Sequence, residues 1–132
     1  MMIQDLEAVT WRCVHYAAAK ETAVIPNGMT PTGIFVTRVR LESPFDKAAL
    51  LEGLKTVFNC PDYVGSNWDA LEEAMGDLDW LPALGYAVII EGATRLWSNH
   101  PHDAGMLVEV ALSCAESWST SGQQFHLIFE MK

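Results

Sequence analysis

The middle of this chain has no basic residues. Between Lys55 and Arg95 it holds Asp62, Asp69, Glu72, Glu73, Asp77, Asp79 and Glu91, and not one lysine or arginine. Such a surface repels RNA and DNA and suits a positively charged partner. Long hydrophobic runs are missing too. The longest apolar stretches are a handful of residues, far short of the roughly 20 that a membrane-spanning helix needs. Residues 1–7 carry Asp5 and Glu7 and no basic, apolar signal region, so the expected location is cytoplasmic, with no membrane partner. Cysteine is scarce: Cys13, Cys60 and Cys114 are an odd number with no motif spacing, which fits packed, reduced thiols and not a disulfide framework. The phosphate loop, the dinucleotide fingerprint, the Gly-x-Ser-x-Gly elbow and the Cys-x-x-Cys pair are all missing as well. No cofactor is expected.

At 132 residues, half of them hydrophobic, the chain is long enough for one domain with a sizeable core. Its net charge of −9 is unevenly placed. Residues 1–55 carry six bases and six acids, which cancel, whereas residues 56–132 set eleven acids against Arg95 and Lys132. Charge of this kind serves solubility or steers a basic partner, and charge alone does not choose between the two.

Hydrophobic patterning gives the elements. Ile34–Leu41 alternates as a strand, and Val9–Tyr16 has the β-branched and aromatic content of another. Turn clusters lie at Pro26–Gly28 and Thr30–Gly33. Ser43-Pro44 reads as the cap and first position of a helix over 45–58, with Leu50, Leu51, Leu54, Val57 and Phe58 as its buried stripe. A second helix starts near Ser66, where Ser66 and Asp69 have capping-box spacing. Tyr86–Ile90 is a short apolar run of the buried-strand type. A short helix over 93–97 follows, then a helix over 104–118 capped by Asp103, with Leu107, Val110, Ala111, Cys114 and Trp118 inward, and a last strand at Phe125–Phe129. Strands alternating with helices predict an α/β domain built on a parallel sheet, three strands with about four helices.

On the second helix Trp68, Leu71, Met75 and Leu78 share one face, while Asp69, Glu72, Glu73 and Gly76 fall well over 100° away. The carboxylates therefore point outward together, beside the turn that holds Asp62 and Tyr63. Each has an alternative structural role. Asp69 serves equally as a cap and dipole partner, Asn67 and Gly65 shape the turn, Tyr63 can wall the core edge, and Glu72 and Glu73 can be a solvated helix face. Asp69 and Glu73, one helical turn apart, are also a conceivable acid–base pair, but nothing nominates a substrate, so no enzyme is expected. His100-Pro101-His102 lacks the spacing of a zinc site and reads as a polar surface loop, and His126 as a structural, partly buried histidine.

The string Phe58-x-x-Pro61-Asp62-Tyr63-x-Gly65-x-Asn67-x-Asp69-Ala70-Leu71 resembles the signature of the barstar-like family of intracellular ribonuclease inhibitors, and Asp77-Leu78-Asp79-Trp80-Leu81-Pro82-x-x-Gly85-Tyr86 is similar to its longer bacterial members. The resemblance spans about Ile34 to Phe129, which implies a barstar-like domain over 34–132 with residues 1–33 as an extension packed on it. It implies an immunity protein that blocks a basic ribonuclease, or another nuclease toxin, as a one-to-one complex, and that is a monomer when free. Carried over by position, it makes Asp62, Tyr63, Asn67, Asp69, Glu72, Glu73 and Glu116 the partner-binding residues. Glu73 stands where the family has a dominant inhibitory aspartate, Glu72 where barstar has an interface tryptophan, and Glu116 is the nearest match to an acid on the last helix. The alternative is a non-inhibitory interaction or regulatory module that keeps the fold.

Overall fold

The computed structural model describes residues 3–132; Met1 and Met2, the start of the expected extension, lie outside the described residues. A 3-10 turn (Ile3–Glu7) leads to β1 (Val14–Ala18), the short α1 (Ala19–Thr22) and β2 (Gly28–Met29). Then come β3 (Ile34–Arg40), α2 (Lys47–Val57), α3 (Trp68–Asp77), β4 (Gly85–Glu91), α4 (Ala93–Asn99), α5 (Pro101–Ser119) and β5 (Gln124–Met131).

The strands form one sheet in the order β1-β5-β4-β3-β2. β3, β4, β5 and β1 are parallel to one another, and β2 pairs antiparallel with β3. The mixed α/β class is as the sequence predicts, but the sheet has five strands where three were expected. Both additional strands come from residues ahead of Ile34. The expected strand at Val9–Tyr16 is shifted: pairing begins at Val14, opposite Leu127, and ends at Ala18, opposite Met131.

β4 and β5 are central, and six successive residues of each are buried (Gly85–Ile90 and Gln124–Phe129). A strand covered on both faces needs no polar alternation, which is why these segments read as continuous apolar runs. Helices cover one face. Leu50, Leu51 and Leu54 of α2, Trp68, Leu71 and Met75 of α3, and Leu107, Val110, Ala111 and Cys114 of α5 pack there against Val39, Val88, Ile90, Leu127 and Phe129. At roughly 1.5–3 kcal/mol for each large side chain buried, this layer dominates the folding free energy.

The other face has a smaller core of its own: Leu6, Ala17, Ile25, Ile34, Val36, Ala87, Ile89 and Ile128. Leu6 and Ile25 come from the N-terminal region, which passes from the β1 edge across the sheet to the β2 edge. Arg38 fastens this crossing. Its guanidinium donates to the carbonyls of Thr22 (2.5 Å) and Ile25 (2.6 Å) and to Asn27, and it lies 3.6 Å from Glu91. Thr22 Oγ1 donates to Glu130 at 2.7 Å.

Three helix starts differ from expectation. α2 begins after Asp46, whose carboxylate accepts from Ala49 N at 2.9 Å, and not at Ser43-Pro44. α5 begins at Pro101 after His100, so Asp103 sits in its first turn and does not cap it, and His102 is helical. α3 is capped by Asn67, as described next.

Candidate functional site

α2 ends at Phe58, and Asn59 turns the chain with a positive φ of 52°. Cys60 N then donates to Lys55 O (2.9 Å) and Val64 N to Pro61 O (3.0 Å), closing a tight turn around Asp62 and Tyr63. Val64 plugs this turn into the protein, only 7 % exposed, while the neighbouring Tyr63 ring stands 79 % exposed. A Cβ at Gly65 would lie 3.1 Å from Asn67 Nδ2 and 3.4 Å from the Ala70 Cβ, so the capping side chain would have to shift slightly to admit one.

Asn67, not Ser66, is the cap: its Oδ1 accepts from Ala70 N at 2.8 Å. The Ser66 hydroxyl is committed elsewhere. It donates to Glu52 Oε1 at 2.5 Å and accepts from Lys55 Nζ at 3.1 Å, and the Lys55 ammonium lies 3.5 Å from Glu52. This three-residue clamp ties the loop to α2. It was not foreseen, because it joins residues far apart in the chain with no local motif.

α3 is held from behind by α5. Trp118 Nε1 donates to Met75 O at 2.9 Å, and Cys114 Sγ contacts Glu72 O at 3.8 Å. Burial, reinforced by the Glu72 carboxylate, pushes the Cys114 thiol up to about 12, so it does not act as a nucleophile. Burial raises the Cys13 and Cys60 thiols as well.

With its inner stripe fixed, α3 turns its acids outward. Asp69, Glu72, Glu73 and Asp77 line a groove against Ser113, Cys114 and Ser117 of α5. Glu73 and Asp77 also edge a hollow of about 180 Å³ walled by Tyr63 and Trp80. The Trp80 ring is locked there by an Nε1 hydrogen bond to Phe58 O at 2.9 Å. Asp77 follows Glu73 by four residues, the one signal by which the sequence could have added it to the site. Asp62 and Asn67 are exposed beside these groups. Among the described residues the ion pairs join Arg38 and Arg40 to Glu91 and Lys55 to Glu52, and none reaches Asp62, Asp69, Glu72, Glu73, Asp77 or Glu116.

Of the seven candidate residues, the structure gathers six around the loop and α3. Glu116 is apart from them. It lines a separate groove with Val9, Thr10, Trp11 and Leu112, on another flank of α5. Among the described residues no group of three or more His, Cys, Asp or Glu is placed to hold a metal ion, and no helix is long and apolar enough to cross a membrane.

The arrangement is an acidic surface, a groove and a shallow hollow beside one exposed aromatic ring, built by a buried helix stripe, a cap and a side-chain clamp. It is suited to recognising a cationic protein surface. No curated protein and no solved structure matches the chain. A family model described as Barstar (barnase inhibitor) matches residues 34–130, from the first residue of β3 nearly to the end of β5. Because the match takes in the whole helical layer, the three central strands and the acidic helix with its loop, the chain belongs to the Barstar family.

Proposed function

We propose that this protein is an immunity-type inhibitor that covers the active site of a basic nuclease toxin in a one-to-one complex. The loop from Asp62 to Asn67 and the outer face of α3 make the contact. The observation that carries this reading is the set of outward carboxylates on α3, which no lysine or arginine of the chain neutralises among the described residues. A nuclease must hold a phosphodiester, so its active site presents Arg, Lys or protonated His. Carboxylates on a fixed helix can take up the positions of the phosphates. Charge complementarity accelerates encounter, and charge pairs that lose their water in the contact slow release. Asp69, Glu72 and Glu73 supply the charge, and Tyr63 a rigid aromatic contact of the sort favoured in interfaces. The cytoplasm is the natural place for such an inhibitor, where an uninhibited nuclease would attack the cell's own RNA.

The test uses the wild-type protein and an Asp69→Ala/Glu73→Ala variant as baits in extract of the source cells, with nuclease activity measured in what each captures. Activity held by the wild type and lost by the variant supports the proposal. Capture of a partner without nuclease activity points to a non-inhibitory interaction module, and equal capture by both baits removes α3 from the contact.

A further inference from the structure

β1 is an outer strand of the sheet, paired with β5 on one side only. That pairing decides which of its backbone groups are used. Leu127 N donates to Cys13 O at 2.8 Å, and the register sets Val14 opposite Leu127 and Ala18 opposite Met131. In a parallel ladder so registered, His15 and Ala17 turn their N–H and C=O groups towards β5. Val14, Tyr16 and Ala18, with Arg12 just before the strand, turn theirs to the outside.

The outward donors are not equally free. Arg12 N donates to Thr10 Oγ1 at 3.2 Å, and Ala18 N to the Glu21 carboxylate at 3.0 Å, so side chains close the edge at both ends. Between them, the N–H and C=O groups of Val14 and Tyr16 have no hydrogen-bond partner among the described residues. Tyr16 is 57 % exposed although its ring stacks on Phe129, and Trp11, ahead of the strand, is 76 % exposed. An unpaired edge is a template for another strand, and exposed rings beside it are typical of a recognition surface.

We propose that two copies of this chain join through this edge, β1 against β1, antiparallel about a twofold axis, so that their sheets become one. The free groups fix the register. Residues that face each other in a hydrogen-bonded antiparallel pair exchange both N–H and C=O. An axis through His15 sets Val14 opposite Tyr16 of the second copy, and Tyr16 opposite its Val14, and every free N–H and C=O on the edge is then used. An axis through Val14 or Tyr16 would call instead on the N–H of Arg12 or Ala18, both already held. The edge is self-complementary, which a twofold contact between identical chains requires and a foreign strand does not.

The side chains agree with this register. Val14 and Tyr16 both point to the helix-covered face, where each meets the other residue of the second copy, an aromatic and β-branched pair of the kind that stabilises adjacent strands. Arg12 comes level with Ala18 of the second copy, whose N–H is bound by Glu21, so each copy brings a guanidinium beside the other's acid. Residues 1–55 carry six bases and six acids, and the surplus of acids lies beyond them, so the edge itself is not a repulsive surface. The family resemblance implies a monomer when free; the edge gives a dimer in which α3 and its loop take no part, and each copy keeps its own acidic surface.

Sedimentation velocity of wild type and Tyr16→Pro over roughly 1 µM to 1 mM tests the dimer. Proline there removes an outward donor that no bond within the chain uses, so β1 should remain paired with β5. The wild type should pass from the mass of one chain to that of two, and Tyr16→Pro should raise the dissociation constant at least roughly tenfold. Should circular dichroism show that Tyr16→Pro fails to fold, Tyr16→Lys replaces it, a charged edge residue whose stem can still cover Phe129. Hydrogen exchange of the wild type reads the register: the Val14 and Tyr16 amides should gain protection at least about tenfold as concentration rises, while α3 amides stay unchanged. The mass of a single chain up to about 1 mM would overturn the proposal and leave the edge to a strand of another protein. A dimer as tight in the folded variant as in wild type, or one in which the Val14 and Tyr16 amides exchange as before, would overturn it too. None of these outcomes bears on nuclease inhibition, which is measured separately.

Discussion

Replacing Arg38 by Met would remove the fastening of the N-terminal crossing while keeping a long aliphatic side chain on β3. The Arg38 side chain is only 16 % exposed, and its guanidinium serves the Thr22 and Ile25 carbonyls, Asn27 and the Glu91 carboxylate together. Hydrogen bonds to a charged group contribute about 1.5–3 kcal/mol each, but bonds sharing one donor group are not additive, and the freed carbonyls can take up water at the rim of the sheet. The expected loss is about 3 kcal/mol. For a chain of this length, with unfolding entropy of about 2.1 cal/mol/K per residue, that lowers Tm by about 10 °C. Arg38→Lys keeps the charge but not the planar fork, and should recover less than half of the loss. Urea unfolding followed by far-UV circular dichroism measures both variants. An Arg38→Met protein within about 0.5 kcal/mol of wild type, the effect of an ordinary surface substitution, would refute the idea that this side chain holds the crossing.

The cap gives a second prediction: Asn67→Ala should cost about 1 kcal/mol in the same assay, whereas Asn67→Asp, which can accept from Ala70 N equally well, should cost almost nothing. Stability should also depend on acid in a defined window. His126 is depressed to about 4, so between the ordinary histidine range near 6.5 and pH 4 the unfolded chain binds more protons than the folded one, and stability falls as pH falls. The wild type should lose up to about 3 kcal/mol more than His126→Gln across that window in urea titrations, and parallel curves would contradict this. Thiol labelling of the native protein at pH 8 should be slow at Cys60 and slower still at buried Cys13 and Cys114, and rapid native labelling of Cys114 would place that residue wrongly.

Where the sequence was legible, the reason is periodicity. Tyr86–Ile90 and Phe125–Phe129 are covered on both faces and so read as unbroken apolar runs, and the 3.6-residue spacing of Trp68, Leu71 and Met75 separates the buried side of α3 from its acids. Of the two additional strands, β2 was not legible at all and β1 was legible as a strand but not in its bounds, for different reasons. β2 is two residues long, and β1 mixes Val, His, Tyr and Ala because its faces meet different surroundings: Ala17 in the small core, Tyr16 half-exposed against Phe129 and Trp97. Helix starts shifted because several good caps stand in a row. Ser66 and Asn67 are equivalent on local grounds, and the contact of Ser66 with Glu52 and Lys55 decides between them. The acidic surface was visible as a run without bases, yet the separation of Glu116 from α3 depends on which side of α5 packs beside α3, and no local pattern reports that.

The most direct test of the account is a titration of the captured nuclease's activity with this protein at a fixed RNA concentration. The account predicts that activity falls to zero at one equivalent. It also predicts that the Asp69→Ala/Glu73→Ala variant, folded as stably as wild type, needs at least about thirtyfold more protein for half-inhibition, the loss expected when central interface charges are removed. Full activity in the presence of excess wild-type protein, or equal inhibition by the variant, would contradict it.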